Sequence, residues 1–367
     1  MKKRLAALTT VIPVVLALSG CFPTGEKNPN ASTELSDGNY FEYSKDNFTA
    51  EFEIPEVSEN LPSRIRLKEK KFNTDECLKL FFSSKTILDE KTWEENYWAD
   101  DGSLLYTNSN SVGFSDGKTA NLKNFQIDAP VNYQVALTVA KEYYREIFDI
   151  GRELDDFSNR SAIDRALETA AAIGITDLEE PNIYAFSLNS LNILNENEFS
   201  FAFNDNYQLT EDNEVYVLRF RQLFDGIELA SVDASVKDTV DDTGSFHVDA
   251  PEVIIGVSKD DIFFFSADTM YETNFDVLSS EPAKYDLNYA LQEFTSYLNK
   301  VYFSEETEIN ELKPVYFPVE RNTLGYVEYA LAWSFEGTVR QKSGDYLKDD
   351  YKIIFLTETG VRMNYKG

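Results

Sequence analysis

Apolar and polar residues change their spacing several times along the chain, and each change predicts an element. Phe48, Ala50, Phe52 and Ile54 alternate with polar residues, as on a strand with one buried face, and Pro55 closes the run. Thr74-Asp75-Glu76-Cys77-Leu78-Lys79-Leu80-Phe81-Phe82 reads as an amphipathic helix with Thr74 as its cap. A stretch rich in Asn, Ser, Gly and Asp follows from Asp100 to Lys118, completing a small α+β unit over 47–130. Val135, Val139, Tyr143 and Ile147 then recur every four residues and predict a helix. A second helical patch holds Ile163, Ala166, Leu167, Ala170 and Ala171 and stops at Gly174.

After Gly174 the period falls to two. Ile183–Leu188 and Val215–Phe220 read as strands, and Asp225-Gly226 signals a tight turn before Ile227–Val236. Val253–Val257 and Ile262–Phe265, joined by Ser258-Lys259-Asp260-Asp261, predict a hairpin. Leu287, Leu291, Phe294, Leu298 and Val301 trace another helical face. Strands follow at Ile309–Phe317, Val327–Phe335, Tyr351–Leu356 and Val361–Tyr365. Helix followed by antiparallel strands thus occurs twice, and Asp225-Gly226 is echoed by Glu336-Gly337. The predicted fold class is α+β, in tandem units of a helix packed on an antiparallel sheet, with a middle domain over 131–277 and a C-terminal one over 278–367.

The first residues change the picture of where this fold works. Lys2, Lys3 and Arg4 precede an apolar run from Leu5 to Leu18, and small residues lead into Leu18-Ser19-Gly20-Cys21. The run is short for a membrane span, which needs about 20 residues, and the three zones describe a signal peptide over 1–20. The last four residues resemble the bacterial lipobox, which implies cleavage between Gly20 and Cys21 and lipidation of Cys21. The diacylglyceryl group supplies the two chains that stable anchoring requires. Residues 21–46, polar and without periodicity, are expected to form a flexible tether.

Hydrophobic residues at 43% and aromatic residues at 14% are enough to bury sizeable cores. Acidic residues number 64 against 34 basic ones, and removal of 1–20 moves the formal charge from −30 to about −33. That field argues against nucleic acid as a partner, which needs basic patches. Once Cys21 is lipidated only Cys77 remains, so no intramolecular disulfide can form. Cys77 is expected to be a buried thiol.

The chain offers little chemistry of its own. His247 is the only histidine, within Ser245-Phe246-His247-Val248-Asp249, and strand neighbours point to opposite faces, which opposes a Ser-His-Asp triad. A single histidine and no cysteine pair exclude multi-histidine zinc sites. Asp238–Gly244 and Asn204–Glu214 lack the ligand spacing of an EF-hand loop. Ile262-Phe263-Phe264-Phe265 is the densest aromatic run and is expected to feed both faces of a buried layer. No cofactor or metal is expected.

The strands Y-x-L-x-F…D-G-I (Tyr216–Gly226) and Y-A-L-A-W-S-F (Tyr329–Phe335), with Pro251–Phe265 and Leu287–Phe335, carry a family resemblance. Over 131–367 the chain resembles the extracellular parts of YycH/YycI-type regulatory proteins and PepSY-like domains, and a group of Gram-positive lipoproteins of that architecture. The resemblance implies action through protein contacts rather than catalysis. It departs from the YycH/YycI pattern in carrying a lipid on Cys21 instead of a transmembrane helix. The expected function is a non-catalytic lipoprotein on the extracellular face of the cell membrane, binding another protein or envelope component. Alternatives are a solute-binding lipoprotein serving a transporter and, less favoured, a carboxylate-dependent hydrolase. Partners are then the membrane through the anchor and an envelope protein or small ligand.

Overall fold

The computed structural model describes residues 32–34, 39–56, 61–92, 96–108, 110–116, 131, 133, 149–196, 208–230, 237–238, 251–279, 286–321, 325–340, 348–357, 359–360 and 362–366. Two compact units are assembled from non-consecutive segments: 1–61 with 283–314 and 332–367, and 62–282 with 315–331. The periodicity had suggested consecutive blocks at 47–130, 131–277 and 278–367.

In the first unit the strand order is β1-β2-β3-β18-β19-β20-β21. These are β1 (Ser32–Glu34), β2 (Tyr40–Lys45), β3 (Phe48–Glu53), β18 (Glu306–Arg321), β19 (Tyr326–Arg340), β20 (Lys348–Leu356) and β21 (Arg362–Lys366), of which 306–314 and 332–340 are the parts of β18 and β19 in this unit. β1 and β2 fall inside the stretch 21–46 read as tether. Asp46, with φ of 52°, turns β2 back on β3. Phe48, Ala50 and Phe52 point inward while their neighbours are exposed, as the alternation predicts. They meet α4 (Leu287–Lys300), whose Asp286 cap accepts a hydrogen bond from Tyr289 N at 3.0 Å. Its Ala290, Phe294 and Leu298 are buried, with the Phe294 ring stacked 4.0 Å from Phe335.

The second unit contains the nine-stranded sheet β5-β6-β7-β8-β16-β15-β11-β10-β9, antiparallel at every pairing. Its strands are β5 (Ile87–Thr92), β6 (Asn96–Ala99), β7 (Leu104–Thr107), β8 (Ser111–Ser115), β9 (Asp149–Ile150), β10 (Asn182–Phe186), β11 (Val215–Arg221), β15 (Glu252–Ser258) and β16 (Ile262–Asp268). One face packs Tyr216, Leu218, Phe220, Ile255 and Phe265 against α1 (Thr74–Phe81) and α2 (Asn159–Ala172). The opposite face packs Val215, Val217, Phe186 and Phe263 against α3 (Leu188–Glu196). A strand buried on both faces needs apolar residues at consecutive positions, which explains the Val215–Leu218 and Ile262–Phe265 runs. The Tyr216 hydroxyl accepts from Leu154 N at 2.6 Å and donates to Phe157 O at 2.8 Å, so even the polar tip is satisfied.

A second set of strands in this unit runs β17-β4-β19-β18, with β13 and β14 added to β18 in parallel. Here β4 is Arg64–Glu69, β17 is Tyr271–Ser279, β13 is Ile227–Leu229 and β14 is Lys237–Asp238. Glu328 receives Arg64 at 2.8 Å and Arg66 at 2.7 Å.

These observations correct the expected α+β class. Strand accounts for 51% and helix for 22%, in two large sheets of twelve and nine strands, with four α-helices among the described residues. Two features concealed the strand content. The polar stretch 100–118 contains β7 and β8, where Thr107 and Ser115 occupy buried positions that a hydrophobic pattern would fill with Val or Leu. The apparent repeat is also not structural. Asp225 and Gly226, with φ of 48° and 77°, form the tight turn between β12 (Leu223–Phe224) and β13, whereas Glu336 and Gly337 lie in the middle of β19. At α1 the cap is Asn73, whose Oδ1 accepts from Asp75 N and Glu76 N; Thr74 instead bonds Thr107. The helix expected at Val135–Ile147 lies outside the described residues.

Candidate functional site

A groove of about 780 Å³ in the first unit arises where two paired strands part. β3 and β18 are parallel neighbours only from Phe48–Ala50 against Thr307–Ile309. Both strands continue beyond that register, and no further pairing joins them among the described residues. The break is visible in the burial of β18: Thr307 and Ile309 are buried, Asn310 and Glu311 are both exposed, and Leu312 is buried again. Two exposed residues in succession shift the strand by one position, as a bulge does. On the other side of β18, Gly337 of β19 lies so near that a Cβ there would stand 1.8 Å from Glu308 O. Only glycine permits this approach. β18 is therefore held against β19 at Glu308 and leaves β3 one turn of the pleat later.

Phe52 and Leu312, both buried, form the floor of the groove, with half-buried Ile54 and Pro55 beside them. Glu53, Glu56 and Glu311 supply carboxylates at its rim, Asn39 and Asn310 supply amides, and Tyr40 supplies an aromatic ring. Ile54 N donates to Asn39 O at 2.8 Å, so the next backbone groups along β3, those of Glu53, face away from β2 and toward the gap. Lys313 bridges two carboxylates, lying 3.5 Å from Glu311 and 3.3 Å from Glu336. Lys352 holds Glu336 from a second side at 3.0 Å. Burial raises the Glu336 pKa, but Lys352, Lys313 and the Ser334 hydroxyl together outweigh it and hold the carboxyl below its usual range. With Lys313 shared between Glu311 and the half-buried Glu336, and three carboxylates at the opening, the groove keeps an acidic rim, an apolar floor and open strand-edge backbone.

A smaller cleft of about 210 Å³ in the second unit is lined by Gln222, Phe224, Tyr271 and Phe275. The Gln222 amide donates to Tyr271 O and accepts from Tyr271 N, both at 2.9 Å, imitating a neighbouring strand. Tyr329 donates to the Tyr271 hydroxyl at 2.9 Å, and burial drives the Tyr329 pKa well up, which keeps that phenol neutral. These side chains are bonded to one another and act as a pin within the fold.

The residues singled out in the sequence are not brought together. Gly20, Cys21, Ser245, His247 and Asp249 lie outside the described residues, as do Asp241–Gly244 and Asp205-Asn206. Glu214 accepts the Leu188 N–H at 2.7 Å at the start of α3. Cys77 is fully buried, and burial pushes its thiol up to about 11. Phe263 and Phe265 enter opposite faces of the nine-stranded sheet, as the aromatic run predicted. Sequence reading missed the groove residues. The available signal was the Ile309-Asn310-Glu311-Leu312 break in alternation, followed on the next strand by Gly337.

Among the described residues no three Asp, Glu, His or Cys side chains converge to hold a metal ion, and no helix is long and apolar enough to cross a membrane. The chain matches no family model and no curated protein. It is similar in fold to the crystal structure of an uncharacterized protein from Eubacterium rectale ATCC 33656, with a TM-score of 0.56 and 12% identity, covering 91% of this chain and 93% of that one.

Proposed function

We propose that this chain is a membrane-anchored extracellular lipoprotein that binds another protein or an envelope component without catalysis. The observation that carries the reading is the order of a cationic start, a short apolar run and Leu18-Ser19-Gly20-Cys21. The groove between β3 and β18 supports it, because its rim and floor suit holding a ligand. Its volume falls within the roughly 300–1,000 Å³ usual for ligand sites. Metabolic labelling with a palmitate analogue tests the anchor. The wild-type chain takes up label and fractionates with membranes, whereas Cys21→Ala takes up none and accumulates as a longer precursor. Equal labelling of both forms would overturn the reading.

A further inference from the structure

We propose that the groove of the first unit takes an extended, positively charged peptide segment, which adds as a strand in the gap where β3 and β18 part. The inference rests on the binding reading above and names the chemistry of the partner. Two properties of the site select it. First, β3 and β18 are paired up to Ala50 and Ile309 and then diverge, so backbone donors and acceptors of a sheet are presented without a neighbouring strand among the described residues. An extended peptide satisfies such groups by strand addition, while pockets for alternate side chains give selectivity. Phe52 and Leu312 provide an apolar floor for every second side chain.

Second, the rim is complementary to positive charge. Glu53, Glu56 and Glu311 surround the opening, and the single charge of Lys313 is shared between Glu311 and Glu336, so the carboxylates are in excess. A peptide that alternates apolar and basic residues matches the strand period, with one set on the floor and the other at the carboxylates. An acidic segment meets like charge on a chain whose formal charge is already −30.

The test uses purified full-length protein in nonionic detergent and a fluorescent octapeptide of alternating Lys and Val. Its Glu-Val counterpart and a version with two internal prolines serve as comparators. The Lys-Val peptide is expected to bind, the proline version to lose binding because it cannot pair, and the Glu-Val peptide to show none. Glu53→Gln with Glu311→Gln is expected to weaken binding about tenfold, equivalent to about 1.4 kcal/mol. Asp164→Asn with Glu168→Gln, on α2 in the other unit, leaves it unchanged. Hydrogen exchange should show new protection at 51–53 and 310–312 in the presence of the peptide.

No binding of the Lys-Val peptide by a folded protein would overturn the proposal. So would equal loss in both carboxylate pairs, which would mean attraction to the acidic surface in general. Failure here leaves palmitate labelling of Cys21 intact, and failure of the anchor leaves peptide binding in vitro intact, so the two ideas fall separately.

Discussion

The central strands β10, β11, β15 and β16 of the nine-stranded sheet are covered on both faces, whereas strands β2 and β3 of the first unit bury one face and leave the other in water. The first arrangement consumes nearly every side chain in packing. Val215 through Leu218 are all buried, and the hydroxyl of Tyr216 is tied at both ends. The second leaves exposed residues available, and it is there that the sheet parts. A sheet sealed on both sides by helices gains rigidity and gives up ligand access, while one with a free face can open a gap without uncovering its core. The groove described above lies beside these less enclosed strands.

The largest expected effects test the sealed sheet. Phe263→Ala and Phe265→Ala, on opposite faces, should each cost about 3–5 kcal/mol in denaturant unfolding. If either costs under about 1 kcal/mol, that face is not a packed layer and the contrast fails. Next comes the half-buried ion cluster of the first unit. Glu336→Gln leaves Lys313 and Lys352 facing a neutral amide and should cost about 2 kcal/mol at neutral pH. Because the folded pKa of Glu336 is depressed, its stabilisation is complete above the ordinary value of 4.5 and is lost as pH falls through the lower folded value. Urea midpoints should therefore separate wild type and variant at pH about 7 and draw together as pH falls below 4.5. Persistence of the full gap in acid would show that the effect is one of packing.

A smaller effect belongs to α1. Asn73→Ala removes the acceptor for two backbone N–H groups and should cost about 1 kcal/mol in thermal unfolding, with Asn73→Ser recovering most of it. The smallest effect tests the open face directly. Glu51→Ala on β3 should stay within about 0.5 kcal/mol, although its neighbour Phe52 is 2% exposed. A larger loss would mean that the face is covered.

Strong periodicity made several elements legible. α4 was readable from Leu287, Leu291, Phe294 and Leu298, α2 from its alanines and the stop at Gly174, and the β15–β16 hairpin from two apolar runs around Ser258–Asp261. Elements whose buried positions hold small polar residues were not. β7 and β8 read as loop because Thr107 and Ser115 are buried where the pattern expects hydrocarbon. α3 was hidden behind a strand signal, since Ser187, whose hydroxyl accepts from Ser190 N, ends β10 and opens the helix at once. The fold class was misjudged for a further reason. Local patterns report helices and single strands, but the joining of β3, at the start of the chain, to β18 depends on contacts that no window of sequence contains. The groove is a product of that joining, so neither its carboxylates nor its open backbone could be placed from the sequence.

The same long-range joining governs how the protein is made. Asn47 bonds Phe303 O across 256 positions, and Tyr43 reaches Asn299 across the same interval. The β2–β3 hairpin leaves the ribosome with Phe41, Tyr43, Phe48 and Phe52 bare, and their cover, α4, follows only after residues 54–286 have been made. At roughly 5–20 residues per second the wait is about 10–50 s. Throughout it, the hairpin is an adhesive, half-finished sheet whose apolar face stays uncovered until its far partner arrives.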